Sequence, residues 1–133
     1  MTVLLVDDDP TFRNLLREVL LNEGYEVYAA ENGAEAIRKL SAVRPDIIVS
    51  DIYMPAMDGL QLHRDVRNNP LYATLPFLFI SGYSDAYTLT SFADPRYDGF
   101  FCKSNPLQEM KDWIKHLTTP LDKRDKYLPG SPP

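Results

Sequence analysis

Three carboxylates stand together at Asp7, Asp8 and Asp9 in LLVDDDP, and a fourth closes DIIVSD at Asp51. A hydroxyl closes FLFIS at Ser81, and an ammonium follows YDGFFC at Lys103. Each of these groups ends an apolar run. Carboxylates gathered in one place repel, so one takes up a proton unless a cation joins them. Two or three carboxylates with a backbone carbonyl suit Mg²⁺, which keeps several waters and often shares its shell with a phosphate. A lysine and a hydroxyl nearby supply a positive charge and a hydrogen bond for phosphoryl oxygens. A carboxylate can also be the nucleophile, giving an aspartyl phosphate. If the fold brings these groups together, the set is a phosphoryl-transfer site built on aspartate.

The elements that must carry them follow from the apolar pattern. TVLLVD is a continuous run bounded by acids, as expected of a strand covered on both faces. In the helix that follows, Asp9 can be the cap and Pro10 can occupy the first turn. Phe12, Leu15, Leu16, Val19 and Leu20 then share one face, and Gly24 ends the helix. YEVYAA reads as a weaker second strand, and NGAEAIRKLSAV as a helix with Ala36, Ile37 and Leu40 inward, stopped by Pro45. DIIVSD is the third strand, GLQLHRDVRNN a helix with Leu60, Leu62 and Val66 in the core, and FLFIS the fourth strand. DAYTLTSFADP holds several β-branched and hydroxyl residues, each costing roughly half a kcal/mol against alanine, and reads as a short marginal helix. YDGFFCK is the fifth strand. The last helix has Asn105 as its expected cap and Pro106 at its first position, with Leu107, Met110, Ile114 and Leu117 on one face. DKRDKYLPGSPP reads as a loose terminus or the start of a linker.

Strand and helix alternate five times. Parallel connections need crossovers, and right-handed crossovers lay helices over a sheet, so the expected class is α/β with an open parallel sheet covered on both sides. Such folds gather their chemistry outside the carboxyl ends of the strands. Asp7, Asp8, Asp51, Ser81 and Lys103 all stand at such ends and would meet at one rim.

Composition removes other readings. A chain of 133 residues with 44% hydrophobic content fits one domain with a real core, leaving no room for a second. A net charge of −5 and no basic patch argue against direct nucleic-acid binding or an anionic membrane. The single cysteine, Cys102, and the lack of a leader-like or spanning apolar run point to a reducing, cytoplasmic setting. Cys102 reads as a buried strand residue. His63 and His116 lack cysteine neighbours at ligand spacing and read as solvated.

With these residues in order, the chain resembles the receiver domain of a two-component response regulator, CheY-like, over residues 1–118. Residues 119–133 are left as a C-terminal tail or the start of a linker. The resemblance is carried by VDDDP with the pair Asp7 and Asp8, SDIYMPAMDG with Asp51 and Gly59, Ser81, and Lys103. It implies a doubly wound (βα)5, flavodoxin-like three-layer sandwich with a five-stranded parallel sheet of order 2-1-3-4-5. It implies Asp51 as phosphoacceptor with Lys103 and Ser81 beside the phosphoryl group. Mg²⁺, or Mn²⁺ in its place, would lie on Asp8, Asp51 and the main-chain carbonyl of Tyr53, with Asp7 acting through water. The donor would be a sensor histidine kinase or a histidine phosphotransfer protein. The protein would be a signalling switch that promotes its own aspartyl phosphorylation and dephosphorylation, not an enzyme in the usual sense. Ser81 and Phe100, three residues before the lysine, would form the switch. They would act on the face of the fourth helix, fifth strand and fifth helix, which would meet a downstream protein, a C-terminal output domain or a second copy in a homodimer.

Three departures from the family's usual pattern involve four positions. Ser104 follows Lys103 where many receivers have proline in a cis bond, and a non-proline cis bond costs roughly 2.5–4 kcal/mol. Phe100 stands where tyrosine is commoner, so partner contact there would be hydrophobic. Tyr53 and Tyr83, two residues past Asp51 and Ser81, flank the pocket where their rings would shield the phosphoryl group. Taken singly, Asp9 is a helix cap, Asp51 a turn acid, Ser81 a satisfied hydroxyl and Lys103 a solvated amine. DDDPT also resembles the D-x-D-x-T pattern of haloacid-dehalogenase-like phosphatases, with Asp7 as nucleophile and Asp9 as general acid/base. Those enzymes need further metal-binding acids beyond the lysine, and Asp51 would have no role. A pseudo-receiver that binds partners without phosphorylation is the third reading.

Overall fold

Successive residues of a strand point to opposite faces of a sheet, and the apolar residues here divide accordingly. The computed structural model describes residues 1–82 and 93–130. Strands β1 (Thr2–Val6), β2 (Glu26–Ala30), β3 (Ile47–Asp51), β4 (Phe77–Ser81) and β5 (Asp98–Cys102) form one parallel sheet of order β2-β1-β3-β4-β5. Helices α1 (Pro10–Asn22), α2 (Gly33–Val43) and α3 (Gly59–Asn68) and a C-terminal helix (Leu107–Thr118) cover it. Of the helix expected in DAYTLTSFADP, ending before Pro95, residues 85–92 lie outside the described residues, as does Tyr83.

On one face Val3, Leu5, Val49, Ile80 and Phe101 pack with Leu16 and Leu20 of α1 and with Met110, Ile114 and Leu117 of the C-terminal helix. On the other, Leu4, Val6, Ile48, Phe77 and Phe79 pack with Ala36 and Leu40 of α2 and with Leu62 and Val66 of α3. The three-layer sandwich expected from the alternation is what this division produces. β3 and β4 are buried at every position, so they read as unbroken apolar runs, whereas the edge strand β2 is exposed at alternate positions. Each fully buried Leu, Ile, Val or Phe contributes about 1.5–3 kcal/mol, which makes the central strands a stiff mount for whatever follows them.

Helix punctuation is as read in most places. Asp9 accepts hydrogen bonds from the N–H groups of Thr11 and Phe12, and Pro10 begins α1. Gly24, just beyond the helix, has φ +88°, a conformation glycine takes without penalty. Four expectations need correction. Leu15 is 46% exposed, because with Leu16 and Leu20 facing the sheet, residue 15 is turned about 100° away. Asn105 does not cap the last helix: Pro106 holds that position with ψ 139°, and the Asn105 amide reaches the Glu109 carboxylate at 3.2 Å. Cys102 is half-buried, its Sγ 3.1 Å from Ser104 Oγ. His63 is buried, not solvated.

Beyond the last helix the Arg124 guanidinium donates to the carbonyls of Thr119 (2.8 Å), Arg96 (2.8 Å) and Leu117 (3.1 Å). Two of these carbonyls lie at the helix end, where the backbone leaves acceptors without intrahelical partners. Residues 119–124 are thereby tied to the body. No helix among the described residues is long and apolar enough to cross a membrane.

Candidate functional site

Strand register decides which side chains meet. Val6 pairs with Ser50, Asp51 with Ile80, and Ser81 with Cys102. The residue after β1, the last residues of β3 and β4, and the residue after β5 therefore share one rim. The backbone continues the ladder there: Lys103 N–H donates to the Ser81 carbonyl at 2.7 Å, and Asp7 N–H to the Ala30 carbonyl at 3.1 Å.

Lys103 Nζ lies 2.9 Å from Asp51 Oδ2 and 3.2 Å from Asp7 Oδ2, so one ammonium bridges two carboxylates from different strands. Asp7 is fully buried and Asp51 is 6% exposed. Asp51 Oδ1 accepts the N–H of Ile52 at 2.7 Å, and Asp7 Oδ1 accepts the N–H of Asp9 at 2.9 Å. Asp8 is exposed, yet one oxygen from each of Asp7, Asp8 and Asp51 lies within 4.8 Å of the others.

The support below is backbone-deep. Ser50 Oγ donates to the Asp51 carbonyl at 2.8 Å, and Gly59 N–H donates to the Ile52 carbonyl at 2.8 Å. A Cβ on Gly59 would meet Asp51 O at 2.2 Å, so only glycine lets the start of α3 press against the acceptor strand. Asp58 and Gln61 close a reciprocal capping box on that helix, at 2.9 and 3.2 Å. From α1, Arg13 Nη1 donates to the Asp7 carbonyl at 2.7 Å.

Charge states follow from this geometry. Burial pushes the Asp7 carboxyl above its ordinary value, and the Asp9 N–H and the Lys103 charge only partly offset it. Burial alone would lower Lys103, but the hydrogen bond and charge of Asp51, joined by Asp7, more than offset it and the ammonium is held more firmly than usual.

A divalent cation fits these residues. Asp7 Oδ2 is buried and makes no well-directed hydrogen bond, having only the lysine charge beside it. An under-satisfied carboxylate oxygen next to one more buried and one exposed carboxylate is a hard, all-oxygen donor set of the kind Mg²⁺ takes.

Of the residues singled out in the sequence, Asp7, Asp8, Asp51, Ser81 and Lys103 come together at the rim, with Ser81 fully buried at the end of β4. Tyr53 is 55% exposed, and Phe100 is half-buried against the α2–α3 side of the core. The Lys103–Ser104 bond is trans, and no cis peptide occurs among the described residues. Asp9 is engaged as a helix cap, which does not favour the general-acid role that the phosphatase reading gives it. Two residues of α1 were missed as site residues, Arg13 and Phe12. The Phe12 ring centroid is 4.5 Å from Lys103 Nζ. Their only sequence signal was their place in the first turn after the acids.

Comparison with known proteins agrees with this geometry. The family described as response regulator receiver domain matches residues 3–115. The transcriptional regulatory protein TrcR of Mycobacterium tuberculosis is 35% identical over 127 residues, covering 90% of this chain and 49% of that protein. The sensor kinase CckA of Brucella abortus is 35% identical over 127 residues, covering 93% of this chain and 13% of that protein. Among solved structures, the response regulator TrrA of Thermotoga maritima in complex with Mg²⁺-BeF superposes with a TM-score of 0.76 at 33% identity, covering 87% of this chain and 97% of that one. The chain spans about half of TrcR and a smaller share of CckA.

Proposed function

Since the chain belongs to the response regulator receiver domain family of two-component systems, we propose that it is a phosphoacceptor switch in which Asp51 takes a phosphoryl group from phosphohistidine. The observation that carries this reading is the Lys103 ammonium shared between Asp51 at 2.9 Å and Asp7 at 3.2 Å, on the rim where Asp8 also stands.

The Asp51 carboxylate is aimed before any donor arrives, with Oδ1 held by the Ile52 N–H and Oδ2 by Lys103. A carboxylate oxygen attacks phosphorus, the P–N bond breaks, and its electron pair stays on the imidazole nitrogen. Asp7, Asp8, Asp51 and the main-chain carbonyl of Tyr53 would hold Mg²⁺, or Mn²⁺ in its place. When bound, the cation supplies positive charge for the phosphoryl oxygens. Lys103 supplies positive charge as well, as its carboxylate partner is consumed. The modification adds roughly −1.5 to −2 charge and three acceptor oxygens. Ser81, buried at the end of β4, donates its hydroxyl to one of them and draws the following loop inward. Phe100, already half inside, turns in behind it. The population shift is read on the surface formed by the segment after β4, by β5 and by the C-terminal helix.

Receiver domains work with histidine kinases and output domains, and the relatives of this chain include both a kinase and a transcriptional regulator. On that basis we assign a sensor histidine kinase or a histidine phosphotransfer protein as donor, in the cytoplasm. A downstream protein, an attached output domain or a second copy would be the reader. Residues 1–118 form the receiver in this reading, and 119–133 lead out of it.

The test is a pair of substitutions read with acetyl phosphate and Mg²⁺. Asp51→Asn abolishes labelling and Asp7→Asn leaves a reduced but measurable level. Labelling that survives Asp51→Asn and disappears in Asp7→Asn overturns the reading in favour of a phosphatase built on Asp7.

A further inference from the structure

The first turn of α1 carries a ring that packing alone does not explain. Phe12 lies partly buried against the core of Leu16, Leu20 and the C-terminal helix, where any aliphatic side chain of similar size would pack. Its centroid is nevertheless 4.5 Å from Lys103 Nζ, within the range at which the negative face of an aromatic ring attracts a cation. The ammonium is thus enclosed by Asp51 at 2.9 Å, Asp7 at 3.2 Å and the Phe12 ring.

We propose that Phe12 is a positioning residue for Lys103 in aspartyl phosphorylation, acting through the ammonium without touching the phosphoryl group. The inference rests on the reading of Asp51 as acceptor. When that carboxylate becomes an acyl phosphate its charge is spent, and Lys103 must move from Asp51 Oδ2 to a phosphoryl oxygen a short distance away. A hydrogen-bonding group in place of the ring would fix the ammonium in its first position. An aromatic face attracts it without directing any N–H, so Nζ shifts across the cleft while staying in it. Leucine or methionine in the same seat offers volume and no charge attraction. The ammonium then spends more of its time in solvent-directed rotamers, for which its 19% side-chain exposure leaves room.

The experiment uses the full chain with acetyl phosphate and Mg²⁺, comparing Phe12→Leu, Phe12→Met and Phe12→Tyr alone and Phe12→Leu combined with Lys103→Met. Phe12→Leu and Phe12→Met slow Asp51 phosphorylation about fivefold, the equivalent of one cation–π contact, while Phe12→Tyr stays near wild type. In the Lys103→Met background, Phe12→Leu has no further effect. In parallel, the Lys103 side-chain methylene resonances lose their ring-current shift in the aliphatic variants and keep it in Phe12→Tyr. Wild-type rates in both aliphatic variants, an undiminished Phe12→Leu effect without Lys103, or unmoved Lys103 resonances overturn the proposal. A wild-type chain that takes no phosphoryl group overturns the acceptor reading itself, so the two failures are distinguishable.

Discussion

Gly59 presses on Asp51 so closely that a Cβ on residue 59 would lie 2.2 Å from the Asp51 carbonyl oxygen and 2.9 Å from the Cα of Ile52. Both obstacles are backbone and cannot rotate away, so the start of α3 must withdraw if any side chain is added. Gly59→Ala is expected to lower unfolding stability by about 1–3 kcal/mol, as overpacking does, and to slow phosphorylation by moving the strand end that carries the acceptor. Urea titration and the labelling rate check both. Unchanged stability would mean the helix start is not fixed by this contact.

Asp98 is a third buried carboxylate among the described residues, beside Asp7 and Asp51, and its partners come from α3: His63 Nε2 at 3.0 Å and the Arg67 guanidinium, with the Asp94 N–H at 2.8 Å. Burial alone would raise its carboxyl, but these partners outweigh burial and hold it below the ordinary value of 3.8. A depressed folded value means the unfolded chain binds more protons, so the stability Asp98 contributes is complete above pH 3.8. It is lost as pH falls through the depressed value. Asp98→Ala is expected to cost about 3 kcal/mol at neutral pH and to flatten the acid limb of the stability curve. Urea midpoints measured from neutral pH into the acid range decide this, and an unaltered acid limb would contradict it.

The strands were legible because buried parallel strands are apolar throughout, and the acids, hydroxyl and lysine were conspicuous at their ends. What escaped is what depends on contacts across the fold. His63 lay on the same helical stripe as Leu62 and Val66, so its burial was readable, but its partner Asp98 belongs to another element. Phe12 fell correctly on the inward face of α1, yet nothing local says that the lysine just after β5 ends beside it. Leu15 was misplaced because the inward stripe of α1 is centred on Phe12, Leu16, Val19 and Leu20, which leaves residue 15 at its outer edge. Asn105 is a good cap by type, but Pro106 already provides the extended backbone that the cap position needs.

Metal binding has its own readout. A ligand bound by the folded chain alone raises its stability by mass action, about 2.7 kcal/mol at a hundredfold excess over the dissociation constant. Mg²⁺ is expected to raise the thermal midpoint of the wild-type chain. Asp8→Asn, which alters an exposed acid, should remove most of that increase without disturbing the metal-free fold. Equal midpoint shifts in the two proteins would exclude Asp8 as a ligand.

Lifetime depends on water reaching the phosphoryl group, and Tyr53 stands two residues past the acceptor with 55% of its surface exposed. If its ring shields the group, Tyr53→Asn shortens the half-life of the phosphorylated chain, and Tyr83→Ala is expected to do the same. Decay of the label after donor removal measures both. Unchanged or slower loss would assign the rings no such role.

The central claim is that Asp51 is the residue modified. Reaction of the full chain with acetyl phosphate and Mg²⁺, reductive trapping of the acyl phosphate with borohydride, and peptide mass mapping identify that residue directly. The account predicts homoserine at position 51 and unmodified aspartates at 7, 8 and 9. Trapped product at position 7, or none at 51 while the phosphoryl donor is consumed, would contradict it.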